Sequence, residues 1–271
     1  MPELPEVETI VRELNRKISG FVFSKIVIKT STVCETPPKK ISAFVPGKKI
    51  VRVVRKGKYI GLNLNEEGFF WIHLGMTGRL QVMLKVAADK HAYMVASFKE
   101  RDECLVFRDV RKFGRLFLGG ADQDDQPPRI RRVGPDPFEV VDNQFKEAYR
   151  LRSGKIKSLL LNQQLISGIG NIYADESLFR SGIHPRRKPA QIKANEWVGL
   201  YESARQVLSE AIDSGGSSID DYRRSDGSRG SFQKSHRVYG RENKPCVICG
   251  SLIRRIVISG RSSFYCSQCQ K

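Results

Sequence analysis

Four of the six cysteines lie at the spacing of metal ligands. Two Cys-x2-Cys pairs, Cys246 with Cys249 and Cys266 with Cys269, are separated by sixteen residues near the end of the sequence. Thiolates at this spacing hold Zn²⁺ tetrahedrally, and four protein thiolates leave no position open for water or substrate. We therefore expect one structural zinc ion. A disulfide framework is the alternative, and no secretory feature of the sequence supports it.

The N-terminal sequence MPELPEVETIV offers a second possibility for chemistry. Pro5 and the neighbouring glutamates suit the first turn of a helix, where negative charge is favoured and a missing N–H costs nothing. The alternative is that the terminal amine itself reacts. An α-amine has a pKa of about 8 against about 10.4 for lysine, so more of it is the free base near neutrality.

A glycine-bearing turn joins two helical segments in residues 155–179. Ser167, Gly168 and Gly170 occupy the turn, and Asn171 stands where the second helix begins. Glycines let a backbone approach a phosphate closely, and a helix N-terminus with an amide side chain binds anions. An ordinary packing corner with Asn171 as the N-cap is the alternative.

The chain carries a large excess of positive charge. Its 271 residues include 47 lysines and arginines against 29 aspartates and glutamates, a net charge of +18. A surplus of this size suits a polyanion, because each phosphate that is neutralised releases a condensed counterion. A membrane surface is the other candidate, but no basic amphipathic helix with an aromatic face accompanies the charge. Nucleic acid is therefore the expected partner.

The distribution of apolar residues argues against a membrane protein. They make up 40% of the chain but form no run near the ~20 residues needed to cross a bilayer. The N-terminal segment is acidic and amphipathic, unlike a secretory signal. We therefore expect a cytoplasmic protein with no membrane partner, and a monomer, because the sequence gives no sign of oligomerisation.

Hydrophobic spacing indicates the elements that must position these residues. Apolar residues recur at helical spacing over 4–18, and Gly20 follows as a stop signal. From about 21 to 118, eight short apolar or alternating runs are broken by glycine, proline and charged turns. Short strands of this kind predict a sandwich or a barrel, not a parallel sheet with helical crossovers.

The second half of the chain has a different hydrophobic pattern. Two stretches rich in aspartate and proline, 122–129 and 134–137, indicate a linker. Helical patterns return from about 143, with candidate helices at 155–164, 171–181 and 189–213.

Between the two cysteine pairs the sequence alternates like two strands around Gly260, which predicts a zinc-bound β-hairpin. Six basic residues against Glu242 alone make this module a candidate phosphate contact. The predicted fold is α+β and multidomain. Its domains are an N-terminal helix with a β-sandwich (1–133), a helical domain (134–240) and the metal module (241–271).

Seven short motifs, together and in order, resemble the bacterial formamidopyrimidine-DNA glycosylase family. They are PELPEVET at the start, RKGKYI (55–60), HLGMTG (73–78), DVRKFG (109–114), GIGNIYADE (168–176), GGSSI (215–219) and GRSSFYCSQCQK (260–271). The resemblance implies a base-excision repair enzyme with a helix–two-turn–helix domain and a C-terminal zinc finger. It also implies damaged double-stranded DNA as the partner, one structural zinc ion and no organic cofactor.

The resemblance implies the catalytic residues as well. Met1 would be removed, and the nitrogen of Pro2 would attack C1′ of the sugar and form an iminium, which is an electron sink for proton loss at C2′. Glu3 would transfer protons on the sugar. Lys58 would contact the phosphate beside the lesion. Glu6 would support Glu3 or a water molecule, with a first-turn helix carboxylate as its alternative.

Three positions match residues with which the family clamps the DNA backbone around the flipped nucleotide. They are His73, Asn171 and Arg261, and Arg261 would thereby support catalysis. His73 could equally be a satisfied strand histidine. Lys157 matches a family lysine on the first helix of the turn, with a solvated helix face as the alternative.

A second group would fill the gap left by the flipped base. Flexible Met76 and aromatic Phe113 suit wedges, and Arg111 can donate to the cytosine left behind, although Met76 and Phe113 would by default be core residues. The polar loop 217–232 would cap the everted base, with Tyr222 as the candidate contact inside it.

One motif departs from the family pattern. Where many members have Lys-His-Asp-His, this chain has Lys90, His91, Ala92 and Tyr93. His91 stays a candidate DNA contact, and any contact that the family makes through the aspartate and the second histidine is in doubt here.

The resemblance implies a bifunctional glycosylase and lyase that excises oxidised purines, chiefly 8-oxoguanine opposite cytosine and formamidopyrimidines. It would then cut the strand by β and δ elimination. The related enzyme of endonuclease VIII type prefers oxidised pyrimidines, but Leu4 and the DVRKFG motif favour the purine enzyme. A non-enzymatic zinc-ribbon protein would explain the charge and the cysteines. It would not explain Pro2 and Glu3 in register with Lys58.

Overall fold

The computed structural model describes residues 1–84, 89–219 and 221–271, without the side chain of Glu66. The chain divides into two compact units, Met1–Arg132 with Gly215–Ser231 and Val133–Ser214 with Phe232–Lys271. The predicted boundaries instead placed Gly215–Ser231 in the helical domain and made the metal module a domain of its own. The loop Gly215–Ser231 falls in the first unit because it bonds to the N-terminal helix.

The helices of the first unit are α1 (Leu4–Ile18), α2 (Pro38–Phe44) and α3 (Pro128–Arg131). Helix α1 has the predicted extent and begins with a proline in its first turn. Helix α2 was not predicted, because it buries Ile41 as its one core residue and so leaves little periodicity to read.

Eight strands form within residues 1–84 and 89–132, one for each run predicted from the sequence. They are β1 (Phe23–Ile28), β2 (Arg52–Lys56), β3 (Tyr59–Asn63), β4 (Phe69–His73), β5 (Arg79–Leu84), β6 (Ala92–Phe98), β7 (Glu103–Arg108) and β8 (Arg115–Gly119). They make two four-stranded sheets of order β1-β6-β7-β5 and β2-β3-β4-β8. Every pairing within them is antiparallel.

The core of the first unit joins α1 to both sheets. Phe23 from β1, Phe70 from β4 and Phe107 from β7 are fully buried in one cluster with Ile10 of α1. Burying a side chain of this size contributes roughly 2–3 kcal/mol. Helix α1 also packs on β2 and β3, so its N-terminus is held against the sheet that carries Lys58.

The helices of the second unit are α4 (Asp142–Tyr149), α5 (Ile156–Leu160), α6 (Asn171–Arg180) and α7 (Ala194–Asp213). Helix α5 ends before the predicted residue 164, because Gln163 binds the turn instead. Its amide donates to Leu161 O at 2.9 Å and Ile169 O at 2.8 Å, and its Oε1 accepts from Gly168 N at 2.8 Å.

Strands β9 (Arg254–Ile258) and β10 (Arg261–Tyr265) form the predicted hairpin around Gly260. Ser259 and Gly260 at its tip have φ of 47° and 72°. Positive φ at both central residues is the geometry of a two-residue turn that matches the twist of the strands. The hairpin therefore presents Arg261 directly after its tip.

Candidate active site and zinc centre

The start of α1 is held by two buried carboxylates. Glu3 is the N-cap, and its N–H donates to Glu6 Oε2 at 2.8 Å. The other oxygen of Glu6 accepts from Ser217 N at 2.7 Å. Glu3 and Glu6 are 3% and 1% exposed, and Pro2 is buried beside them. Glu6 thus joins the start of α1 to the loop Gly215–Ser231 and fixes the position of Pro2.

Lys58 lies in the turn between β2 and β3 and is 6% exposed. Arg55 ties this turn to α1, because it donates to Glu8 Oε2 at 2.7 Å and to Gly57 O at 3.3 Å. Burial would raise the pKa of Glu8, but hydrogen bonds from Arg55 and Arg12 outweigh it and hold the pKa below its usual value. The Glu8 carboxylate is therefore charged at neutral pH and holds the turn between β2 and β3 to α1.

His73 ends β4, opposite Tyr59 in register on one side and Arg115 on the other. Burial, and then the positive charge of Lys58 and two arginines, lowers the pKa of His73 to about 4. Its Nδ1 accepts from Gly75 N at 3.2 Å. The imidazole is therefore neutral at physiological pH and carries its proton on Nε2, which makes it a neutral donor, not a cation.

Met76, Arg111 and Phe113 lie in two turns of the sandwich, β4–β5 and β7–β8. Met76 is 38% exposed and Phe113 is 48% exposed. Arg111 is exposed too, and its guanidinium carbon lies 4.8 Å from the centre of the Phe113 ring. These three side chains are available to a ligand, as the wedge interpretation requires.

The turns that carry these side chains are fixed by buried Asp109. Its Oδ1 accepts from Thr77 Oγ1 and from Arg111 N at 3.2 Å, and its Oδ2 accepts from Gly114 N at 2.7 Å. The two turns touch through their backbones, because a Cβ on Gly75 would lie 2.6 Å from Gly114 N. The exposed side chains therefore stand on a rigid base.

Tyr222 does not lie on the surface of the loop, contrary to its prediction as a base contact. It is 6% exposed, and its hydroxyl lies 3.3 Å from Glu6 O and 3.2 Å from Gly215 O. Burial and the nearby charge of Glu6 raise the pKa of Tyr222 far above its ordinary value. Its position is that of an internal anchor for the loop.

Lys157 is fully buried, contrary to its prediction as a DNA contact. Its Nζ lies 2.7 Å from Asp175 Oδ1 and donates to Ser262 O at 2.8 Å. Asp175 Oδ2 accepts from Phe264 N at 3.0 Å. Burial raises the pKa of Asp175 to about 7, against the lowering effect of Lys157. The pair ties α5 and α6 to the hairpin.

Asn171 is the first residue of α6, and Gly170 is the N-cap in its place. Its Nδ2 donates to Ser262 O at 3.0 Å, the same carbonyl that Lys157 holds. Its Oδ1 is buried and has no hydrogen-bond partner among the described residues. Arg261, the neighbour of Ser262, is exposed. Buried Lys157 and partly buried Asn171 thus position the exposed Arg261.

His91 lies just before β6 and is half-buried. Its N–H donates to Asp89 Oδ1 at 2.9 Å, and its carbonyl accepts from Asp109 N at 3.1 Å. The backbone of His91 therefore supports the turn that presents Arg111. Tyr93, at the altered position of the motif, is buried.

The four predicted zinc ligands come together at the base of the hairpin. Their Sγ atoms all lie within 4.8 Å of one another, with Cys246–Cys269 at 3.8 Å and Cys249–Cys266 at 3.4 Å. Zinc bonds of about 2.3 Å in a tetrahedron separate the sulfurs by about 3.8 Å, so the cluster fits one closed zinc site. Its place in an apolar cluster with Phe179 makes the site structural.

Sequence reasoning gave no role to three buried or partly buried acids of these sites, Asp109, Asp175 and Glu13. A local signal in the sequence could have identified Asp109, since an aspartate whose carboxylate accepts from the backbone N–H two residues later is typical of a turn. No local signal could have identified Asp175 or Glu13, because their partners are distant in the sequence.

The fold and the sites define a class, the helix–two-turn–helix DNA glycosylases with a zinc finger. The family models that match are the formamidopyrimidine-DNA glycosylase N-terminal domain over residues 1–116, its H2TH domain over 133–223, and the zinc finger found in FPG and IleRS over 243–271.

Individual proteins agree with these matches. The formamidopyrimidine-DNA glycosylase of Solibacter usitatus is 42% identical over all of both chains. A complex of the Lactococcus lactis Fpg with abasic-site DNA is 34% identical, with TM-score 0.92 and 99% of each chain covered. A MutM complex with DNA containing carbocyclic 8-oxo-G is 34% identical, with TM-score 0.91 and all of both chains covered.

The chain belongs to the formamidopyrimidine-DNA glycosylase family. The predictions of the fold class, of a bifunctional glycosylase and abasic-site lyase in base excision repair, and of one structural zinc ion are thereby confirmed. The non-enzymatic zinc-ribbon alternative is wrong. No helix in the part of the chain that the structure covers is long and apolar enough for a membrane span.

Proposed function

We propose that this enzyme excises oxidised purines, chiefly 8-oxoguanine opposite cytosine and formamidopyrimidines, and then cleaves the strand by β and δ elimination. The observation that carries the proposal is the buried start of α1, where Pro2 adjoins Glu3 and Glu6. The MutM complex with 8-oxo-G DNA and the Lactococcus lactis complex with abasic-site DNA support it.

Pro2 is the nucleophile once Met1 is removed. The ordinary pKa of an α-amine is about 8, against about 10.4 for lysine, so the free base is accessible near neutrality. Its lone pair forms the N–C1′ bond while the C1′–N9 bond breaks and the base leaves with a proton. Glu3, next in the chain, transfers protons on the sugar.

The amine then loses its proton, and the C1′–O4′ bond opens as O4′ takes up a proton, so that the N–C1′ bond becomes an iminium. This iminium directs strand cleavage. It accepts the electrons released when a proton leaves C2′, and the C3′–O bond then breaks with the phosphate as leaving group. A second proton loss, from C4′, breaks the C5′–O bond. The amine and the carboxylates supply the nucleophile and the proton transfers, so this chemistry needs no organic cofactor.

The phosphates beside the lesion are held by different kinds of donor. Lys58 and Arg261 provide charge-assisted hydrogen bonds, which are stronger than neutral ones. His73 contributes the N–H of a neutral imidazole. Asn171 acts on the hairpin through Ser262, and His91 remains a candidate contact.

The gap in the duplex is filled by Met76 and Phe113, and Arg111 donates to the unpaired cytosine. Apolar wedges of this kind are typical of proteins that unstack a base step. Their exposure and the rigid turns beneath them support this role. One gap takes one wedge, so a monomer suffices, and the site of action is nucleoid DNA in the cytoplasm.

Borohydride trapping tests the proposal. The probe is a duplex with one 8-oxoguanine opposite cytosine, the control is the same duplex with guanine, and the cross-linked residue is mapped by mass spectrometry. We expect a covalent adduct at Pro2, absent in the Pro2→Gly variant. An adduct at Lys58 would reassign the nucleophile. Much faster trapping on an oxidised pyrimidine would favour the endonuclease VIII type instead.

A further inference from the structure

The loop Gly215–Ser231 is held at buried points that leave its tip exposed. Tyr222 and Ser225 are 6% and 5% exposed, and Gly230 is buried with its N–H donating to Ser218 Oγ at 3.0 Å. Residues 226–229 between the last two points are exposed. The loop thus has fixed supports and an accessible tip.

Glu13 of α1 supplies the support at Ser225. Its Oε1 accepts from Arg224 Nε at 2.5 Å, and its Oε2 accepts from Ser225 N at 2.9 Å and from Ser225 Oγ at 2.7 Å. The Glu13 side chain is 11% exposed. Both oxygens are therefore engaged in charge-assisted bonds away from bulk solvent, where such bonds are strong.

These bonds hold the base of a tight turn. Arg224 N donates to Ser228 O at 3.0 Å, Gly227 N donates to Arg224 O at 3.0 Å, and Asp226 Oδ1 accepts from Ser228 N at 2.8 Å. Because Arg224 both closes the turn and binds Glu13, a shift of the Glu13 carboxylate moves the whole tip.

We infer that Glu13 is a positioning residue for recognition of the damaged base, which it performs by fixing the turn 224–228 relative to the helix that starts with Glu3. Ten residues of helix separate Glu13 from Glu3, about 15 Å along the axis, so one rigid element sets both the reacting end and the recognition loop. This inference rests on the proposed function, since the base must be the ligand of the tip.

The test is the Glu13→Gln variant, which keeps the shape of the side chain and removes its charge. Single-turnover excision of 8-oxoguanine opposite cytosine is compared with cleavage of a preformed abasic site in the same sequence, which has no base to recognise. We expect excision to fall about tenfold, the loss of one charge-assisted bond, with abasic cleavage within about twofold of the unmodified protein.

A second readout does not depend on activity. Amide hydrogen exchange at Ser225 and across 224–228 should become faster in Glu13→Gln, because the Ser225 N–H loses a charged acceptor. Glu103→Gln is the matched control, since Glu103 pairs with Lys17 at 3.8 Å on the same unit and has no bond to the described residues of the loop. It should leave both readouts unchanged. In an Arg224→Met background, Glu13→Gln should have a smaller effect on excision.

Three outcomes would overturn the inference: unchanged excision, unchanged exchange at the turn, or an equal fall of excision and abasic cleavage. The last would mean that Glu13 stabilises α1 and has no role in base recognition. Failure of the proposed function has a different signature, namely an unmodified protein that excises no oxidised purine. The exchange readout would still decide whether Glu13 fixes the turn.

Discussion

Two sets of residues predicted to contact DNA, one in each unit, are supported in opposite ways. In the first unit, apolar Met76 and Phe113 stand exposed on turns that buried Asp109 holds. In the second, Lys157 is buried and Arg261, on the hairpin that Lys157 supports, is exposed. Residue type therefore misleads in both units, since apolar side chains face solvent in the first and a cation is buried in each, Lys58 in the first and Lys157 in the second.

The physical reason is that support and contact place different demands on a side chain. A support must be desolvated and fully bonded, which a lysine achieves only with a partner such as Asp175. A wedge must lie outside the protein core. An exposed phenylalanine therefore gives up the free energy that burying its ring would contribute to stability. A motif therefore identifies a site without distinguishing the residue that touches DNA from the one that positions it.

Zinc removal should have the largest effect, and it should fall on the second unit. Zinc binding supplies about 10–16 kcal/mol in isolated zinc-finger peptides, so chelation or Cys266→Ser should unfold the hairpin and displace Arg261. We expect the affinity for lesion DNA, measured by fluorescence anisotropy, to fall at least about a hundredfold. Cys34→Ser, a cysteine outside the cluster, is the control. Unimpaired binding after zinc loss would contradict the role of the hairpin.

Lys157→Met should come next, because it leaves Asp175 buried without its cation. Removing one partner of a buried pair costs about 3–5 kcal/mol, and the double variant with Asp175→Leu should recover most of that loss. Urea unfolding measures both. Lys155→Met, an exposed lysine two residues earlier, is the control. If Lys157→Met instead lowered the salt dependence of DNA binding and left stability unchanged, Lys157 would be a phosphate contact after all.

Asp109→Asn should destabilise the first unit by about 2–3 kcal/mol, because three donors lose a charged acceptor. The same change should weaken discrimination between cytosine and adenine opposite the lesion, since Arg111 loses its fixed position. Excision from both duplexes and urea unfolding are the measurements. Exposed Asp102→Asn serves as the comparison, and a stable but undiscriminating Asp109→Asn protein would separate the two roles of the carboxylate.

His73 should make the free energy of unfolding depend on pH in the acidic range. Its pKa of about 4 in the folded protein lies below the ordinary 6.5, so the unfolded chain takes up the proton more readily. The stabilisation is complete above pH 6.5 and is lost as the pH falls towards 4, by about 1–2 kcal/mol at pH 5. Unfolding of the unmodified protein and of His73→Gln at pH 7 and pH 5 measures it. Equal pH dependence of the two would contradict a neutral imidazole at position 73 of the folded protein.

Phe113→Ala should have the smallest effect on stability, within about 0.5 kcal/mol, because the ring is half exposed. Excision of 8-oxoguanine should nevertheless fall about tenfold, as expected for a lost wedge. Thermal unfolding and single-turnover excision are the two measurements. A fall of several degrees in Tm would show that Phe113 is a packing residue. The contrast between exposed Phe113 and buried Lys157 would then not hold.

Much of the fold could be predicted because its signals are local. Apolar residues repeating every 3.6 positions predicted the extent of α1, and short alternating runs predicted the eight strands. Helix α5 was predicted too long because the side chain of Gln163 competes for the turn, a contact that no period reveals.

The sequence by itself determined the zinc site, the hairpin and the sandwich, because cysteine spacing, a two-residue turn and strand alternation each act over a few residues. The tertiary structure alone decided that Tyr222 and Lys157 bond to groups inside the protein, that Gly215–Ser231 belongs with α1, and that Glu13 bonds to the turn 224–228. These depend on which distant groups meet. Glu13 and Ser225 are 212 residues apart, and only the folded chain brings a carboxylate and its donors together.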